Sequence, residues 1–363
     1  MVWIFLFFMS FDVLGEKSEE PYFFYRSDGL GAHAFYTPYT MAIESGFEAA
    51  YYRRVDRYPF KRGFRNLTYS LTHGDKVIRE YGGYWAFFLD QFVPSKNGAY
   101  TPNYTWHLIG GGFRARLLEE YFIDKGYSYP RILSWTTLYL GHLMNEAVQS
   151  ETADQGSVDA LADLLFFDWA GKVLFLYDPI ADFCANVLHM TDWTFPMSLD
   201  PLGKRLINNG QQYWVRYPIY SSFHLSILTG NIHNSLGFTW QEEDHKQWTL
   251  GLGLKPEEFR FENKELLPGR LTISALFAYS GDDNPYWTAV FQKGAIGKNR
   301  KRGENDKADP IKLIVNIYPN SWMRSFGITF GSLYGGFFVG IVSPMAPFGI
   351  HGLLGGNDRR EET

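Results

Sequence analysis

Apolar and polar residues alternate strictly along much of the carboxy-terminal half of the chain. From 235 to 241, Leu236, Phe238 and Trp240 fall on one face, and Ser235, Gly237, Thr239 and Gln241 on the other. Residues 247–254 repeat the pattern, with Trp248, Leu250, Leu252 and Leu254 opposite Gln247, Thr249, Gly251 and Gly253. A polar link, Glu242-Glu243-Asp244-His245, joins the two runs. Two period-two runs joined this way predict an antiparallel hairpin, because a helix cannot gather such residues into one stripe.

The rhythm recurs at 223–227, 271–277, 311–317 and 326–331, with turn residues at Gly281 to Pro285, Pro319-Asn320 and Gly335-Gly336. The non-apolar face is mostly Gly, Ser, Thr and Gln rather than charged. That suits a narrow lumen, while the aromatic face suits lipid. Roughly eight or nine such strands follow Gln211, so the predicted fold is an antiparallel outer-membrane-type β-barrel of about 8–12 strands. Residues 40–45 and 47–52, separated by Gly46, are the candidate first strands. The uncharged stretch 326–343 is long enough for a membrane helix, but its glycines and alternation favour strand–turn–strand.

The middle of the chain changes period. Residues 113–125 and 131–149 read as helices, the first ended by Gly126 and the second led in by Pro130. Ser157 caps a third, and Asp178-Pro179 reads as an N-cap followed by a first-turn proline. These helices are too short and charged to cross a membrane alone, so they plug the lumen or pack on its periplasmic rim. The resulting division is a signal peptide at 1–15, a segment with the first strands at 16–106, a helical block at 107–200, barrel strands at 201–356 and a charged tail at 357–363.

Composition supports an envelope location. Aromatic residues make up 18% of the chain, as interfacial girdles and lipid-facing rings require. The mean hydropathy of −0.23 argues against a helical membrane protein, but not against strands on which alternate residues meet lipid. A net charge of −5 gives no electrostatic reason to expect a nucleic-acid partner. The lone Cys184 excludes an internal disulfide framework. The apolar start at 1–9 precedes small residues around Gly15 and then a charged run, the order of a secretory signal. The expected location is the bacterial outer membrane, with lipid and the barrel-assembly machinery as partners; the 298–309 stretch reads as an exposed charged loop.

Several phrases resemble a bacterial envelope family of outer-membrane proteins without an assigned activity. They are His107 to Gly112, Arg116 with Glu119 to Tyr121, Gly141-His142 with Asn145-Glu146, Asp159 to Asp163 with Phe167-Asp168, and Asn208 to Tyr213. The resemblance covers roughly 29–254 of the chain and implies a helix-plus-barrel layout in the envelope, but no catalytic residues. The charged carboxy terminus departs from the aromatic last strand that such barrels commonly carry.

The candidate chemistry lies in the helical block. His142 and Glu146 stand four apart on one predicted helix and are candidates for a metal or a shared proton. Asp159 and Asp163 repeat that spacing on the next helix, and His107 sits just before three glycines. These five residues are the candidate catalytic set, and no cofactor is assigned. The diagnostic zinc pattern His-Glu-x-x-His is absent. A buried ionic network, in which these groups pair with Arg114 or Arg116, is the preferred reading on sequence alone. Gly110 to Gly112 match no phosphate-binding fingerprint and read as close packing or a flexible link. A lipid hydrolase would use Ser222, His224 and Ser226, on a face expected to be luminal. The expected function is therefore a non-enzymatic barrel serving structure, small-solute passage or envelope maintenance. The alternatives are an outer-membrane hydrolase of lipid or peptidoglycan, and an exported β-protein with an apolar ligand cavity. Trp240 and Trp248 separate the last from the first, pointing outward in one case and inward in the other.

Overall fold

The computed structural model describes residues 22–50, 55–94, 102–150, 156–230, 233–242, 245–262, 265–282, 284–296, 312–320, 323, 325–333 and 336–355. The expected signal peptide, the loop at 298–309 and the tail at 357–363 lie outside the described residues.

Helices begin earlier than the pattern predicts. They are α1 (Pro38–Gly46), α2 (Phe60–Thr72), α3 (Gly74–Tyr81) and α4 (Tyr84–Phe92). Next, α5 opens with the π-type segment Asn103–Gly111 and continues as Gly112–Asp124, and α6 is Pro130–Gln149. Helix α7 comprises Val158–Ala162, the π-type Asp163–Phe167 and Asp168–Leu174, and α8 joins Asp178–Asp182 to the π-type Phe183–Val187. The strand expected at 40–45 is therefore helical. Thr37 accepts the Thr40 N–H at 3.2 Å and Pro38 opens the first turn, so local capping overrides the β-branched pattern. Residues 47–50 form a turn rather than a strand, and 51–52 lie outside the described residues. Ser157 caps α7 as expected, accepting from Ala160 N at 3.5 Å. Asp178 makes no capping bond and instead binds Arg116 Nη1 at 2.9 Å.

The strands are β1 (Thr191–Asp192), β2 (Ser198–Asp200), β3 (Arg205–Ile207), β4 (Gln212–Tyr220), β5 (Phe223–Gly230), β6 (Asn234–Gln241) and β7 (Lys246–Glu262). They continue as β8 (Glu265–Gly281), β9 (Asn284–Ile296), β10 (Lys312–Ile317), β11 (Gly327–Leu333), β12 (Gly336–Val342) and β13 (Gly349–Leu354). All thirteen form one sheet in the order β1-β4-β5-β6-β7-β8-β9-β10-β11-β12-β13-β2-β3. The predicted hairpin pairs in register, with Leu236 opposite Leu252 and Trp240 opposite Trp248.

Two expectations need correction. The sheet has more strands than the 8–12 expected, because three short ones flank the ten-strand meander, and it is mixed, because β13 pairs parallel to β2. Its order also has two ends, so the pairing does not make a closed barrel. The two ends are β1 and β3. Residues 191–200 nevertheless touch both edges of the meander: Trp193 N donates to Gln212 O on β4, and Met197 O accepts from Gly349 N on β13.

The sheet curls strongly. In a flat sheet β4 and β12 would lie roughly 38 Å apart. Here Trp214 and Val342 belong to one buried cluster with Phe35, Trp193, Leu276 and Val290. Similarly, Asn208, just past β3, donates to Asn316 on β10 at 2.7 Å. The concave side thus holds the turn Gly31–Phe35 and the segment around Trp193, the latter from the carboxy-terminal end of the predicted 107–200 block.

One cation joins helices to sheet. Arg114 on α5 is fully buried; it donates from Nε to Asp192 Oδ2 at 3.1 Å and from Nη2 to Thr194 Oγ1 at 2.7 Å. It also lies 3.2 Å from Glu44 and 3.7 Å from Glu48, beside α1. One guanidinium cannot neutralise three buried carboxylates. Burial, opposed by Arg114 and reinforced by Asp192 and Glu48, pushes the Glu44 carboxyl from 4.5 up to about 8. Arg114→Met should cost roughly 3–5 kcal/mol in a chemical unfolding titration, because it strands buried carboxylates. Glu44 is protonated more readily folded than unfolded, so its contribution is complete below about pH 4 and is lost as pH rises to 8. Glu44→Gln should therefore gain stability relative to wild type across that window; an unchanged difference between pH 5 and 9 would contradict the shared-cation account.

Candidate functional site

All five sequence-predicted site residues converge. His107 comes from the π-type opening of α5, His142 and Glu146 from α6, and Asp159 and Asp163 from α7. Asp168 and Lys172, further along α7, complete the cluster. The π turn is what brings Asp168 in. Residues five apart lie about 140° apart around an α-helix, but the i→i+5 bonding of Asp163–Phe167 returns Asp168 to the face of Asp163.

Close backbone approach sets the spacing. A Cβ on Gly112 would collide with the Gly171 carbonyl, and one on Gly171 with that of Leu108, so α5 and α7 meet main chain to main chain. Gly110 gives way to the Tyr213 ring on β4, and Gly111 faces the His142 ring. The triple glycine is thus a packing surface inside one continuous helix.

The two nitrogens of His107 face different partners. Nε2 lies 3.3 Å from Asp163 Oδ2, and Nδ1 lies 3.5 Å from Asp168 Oδ1. His142 Nδ1 shares that same Asp168 oxygen at 2.6 Å, while Lys172 Nζ is 3.7 Å from Oδ2. Glu146 is 1% exposed, and neither of its oxygens has a hydrogen-bond partner among the described residues. Asp163 Oδ1 is likewise unpartnered. Asp159 is half-buried and acts on the others through its charge.

Electrostatics divides the cluster in two. Burial pushes the Glu146 carboxyl well above its ordinary range, with Asp163 and Asp159 adding to it and His107 opposing. Asp163 is raised in the same way. At Asp168 burial acts upward but is overcome by His142 and Lys172, which hold this carboxyl well below its usual range. His107 is pulled down by burial but driven up further by Asp163 and Asp168, to about 10. Two triads of ligand atoms result, each within 4.8 Å: His107, His142 and Asp168; and His107, Glu146 and Asp163. Either the cluster holds protons between acids and imidazole, or a cation replaces them.

The network expected on sequence alone took a different form. Arg114 binds Glu44 and Asp192, and Arg116 binds Glu120 and Asp178, so neither neutralises this cluster. His142 pairs with Asp168, not with Glu146. As for the hydrolase candidates, His224 and Ser226 face the enclosed side, and Ser226 Oγ is bonded to Thr239 Oγ1 at 2.5 Å.

Comparison with protein-family models, curated proteins and solved structures gives no match, so function is read from these residues alone.

Asp168→Asn should cost roughly 3–5 kcal/mol near pH 7 in metal-free protein, because buried cationic partners lose their counter-charge. The depressed Asp168 carboxyl contributes stability above about pH 4 that is lost as pH falls. Urea titrations should thus show wild type and variant converging below pH 4. A gap that persists undiminished at pH 3 would remove Asp168 as the anchor.

Proposed function

We propose that the chain is an integral outer-membrane β-barrel whose helical block forms a structural unit of the bacterial envelope. The observation that carries this reading is the polarity of the sheet. Leu236, Phe238, Trp240, Leu250, Leu252 and Ile341 point outward, and Leu252 is 65% exposed. Ser226, Thr239, Thr249, Ser274, Thr288 and Asn316 point inward and are buried. Water would leave that continuous apolar surface unsatisfied, whereas a bilayer satisfies it.

Two features support the reading further. Phe223, Trp240, Trp248, Tyr279 and Trp287 align in one cross-strand row from β5 to β9, with Trp248 packed against Tyr279 and Trp287. Such a row corresponds to an interfacial aromatic girdle. Residues 191–200, paired at both edges of the meander, would close the barrel without a continuous ladder. No helix among the described residues is long and apolar enough to cross a membrane, which has no bearing on a barrel. Trp193, Trp214, Phe35 and Tyr318 fill the enclosed side, which favours a structural role over solute passage. The outward Trp240 and the polar interior speak against an apolar ligand cavity.

The protein should fractionate with outer membranes and migrate faster on unheated than on boiled gels. Leu252→Arg should destabilise the lipid-folded protein by roughly 2–4 kcal/mol if the residue sits at the bilayer midplane. Recovery in the soluble periplasmic fraction, or equal folding of wild type and Leu252→Arg in lipid, would defeat the proposal.

A further inference from the structure

We propose that His107, Glu146 and Asp163 bind a divalent transition-metal ion in the helical block, with Asp168 as the outer partner that orients His107. This inference is independent of the membrane reading, since none of these residues lies on the sheet.

Geometry selects this triad over the other. Metal–ligand bonds of about 2.0–2.2 Å place neighbouring ligand atoms roughly 3.0–3.5 Å apart. His107 Nε2 and Asp163 Oδ2 are 3.3 Å apart, and Glu146 brings a ligand oxygen within 4.8 Å of both. Both Glu146 oxygens and Asp163 Oδ1 are buried without a hydrogen-bond partner among the described residues, so the site presents acceptors that no donor reaches. The other triad already holds a short His142–Asp168 contact and has an ammonium beside it. His142 Nδ1 and Asp168 Oδ1, at 2.6 Å, share a proton, and the nearby Lys172 ammonium would repel an added ion.

The Nδ1 side of His107 supplies what a metal-binding imidazole requires. Such rings donate their second N–H to a carboxylate, which fixes the tautomer and strengthens the ligand nitrogen. Asp168 occupies that position 3.5 Å from Nδ1 and is itself held by His142 and Lys172.

Charge gives the class of ion. Two carboxylates and a neutral imidazole balance a charge of +2. One nitrogen and carboxylate oxygens, without sulfur, fit Mn(II), Fe(II) or Zn(II), rather than Cu(I) or the oxygen-only shell of Ca(II). Carboxylates and imidazoles ligate in their deprotonated forms, so ion binding is linked to proton release.

Calorimetric titration of the chelator-stripped full chain with Zn(II) tests this, run in two buffers of different ionisation enthalpy. We expect one equivalent per chain, with proton release read from the buffer dependence. His107→Ala and Glu146→Gln should weaken Zn(II) affinity more than 100-fold, whereas Asp168→Asn, outside the coordination shell, should weaken it 10–100-fold. His351→Ala, on β13, should leave it unchanged. Glu146→Gln keeps the size and shape of the side chain, so the metal-free variant should stay folded by circular dichroism and still lose the ion. Absence of stoichiometric binding by wild type, or wild-type affinity in Glu146→Gln and His107→Ala, would overturn the proposal.

Discussion

Side chains on a strand alternate between two faces, and in this sheet the apolar set occupies the outside. Everything else in the sheet follows from that inversion. Much of the interior is lined by hydroxyls and amides that satisfy each other, while Phe35, Trp193, Trp214 and Tyr318 fill one part of it. Ser226 bonds Thr239 at 2.5 Å and Thr239 bonds Thr249 at 2.8 Å, a hydroxyl ladder across β5, β6 and β7. Asn316 plays the same part further round, meeting Asn208, Thr288 and Thr329. Buried polar groups are tolerable only when paired in this way, and the pairing fixes the strand register. The outer face then has no protein to cover it.

The two buried charge clusters of the helical block follow different rules. Arg114 is a joint: a guanidinium spreads its donors over α1 and the start of the sheet. Around His107 acids outnumber the groups that neutralise them, and Glu146 touches no donor among the described residues. A structural network would be satisfied; this one is left open on one side and braced on the other by Asp168. The asymmetry is what separates a ligand set from a packing solution.

Much of the carboxy-terminal half was legible in the sequence, because period two sets one face of a strand apart from the other. Residues 235–241 and 247–254 pair as the predicted hairpin. The amino-terminal half was less legible. Thr40 to Ser45 carries strand-like residues, yet the Thr37 cap and Pro38 make it helical. Helices α2 to α4 follow the same course, their apolar residues being too interrupted by glycine and charge to stand out. At the site, His142 with Glu146 and Asp159 with Asp163 were visible through four-residue spacing, and His107 through its place before the three glycines. Asp168 and Lys172 were not, because Asp168 stands five residues from Asp163 and only the π turn aligns them. Gly171 was hidden too, since the close crossing with Gly112 depends on a partner fifty-nine positions away. The short strands β1 to β3 were not legible either, because two or three residues are too few for an alternation to show.

The claim on which the rest depends is that the outer face of the sheet lies in lipid. Single cysteines placed at Leu236, Leu252 and Ile341 in a Cys184→Ser background, labelled with a nitroxide and reconstituted in bilayers, address it directly by collision with dissolved oxygen and a water-soluble nickel complex. The account predicts high oxygen and low nickel accessibility at all three positions, as for a probe within the hydrocarbon region. Nickel-accessible labels at Leu252 and Ile341 would place that face in water and contradict the account.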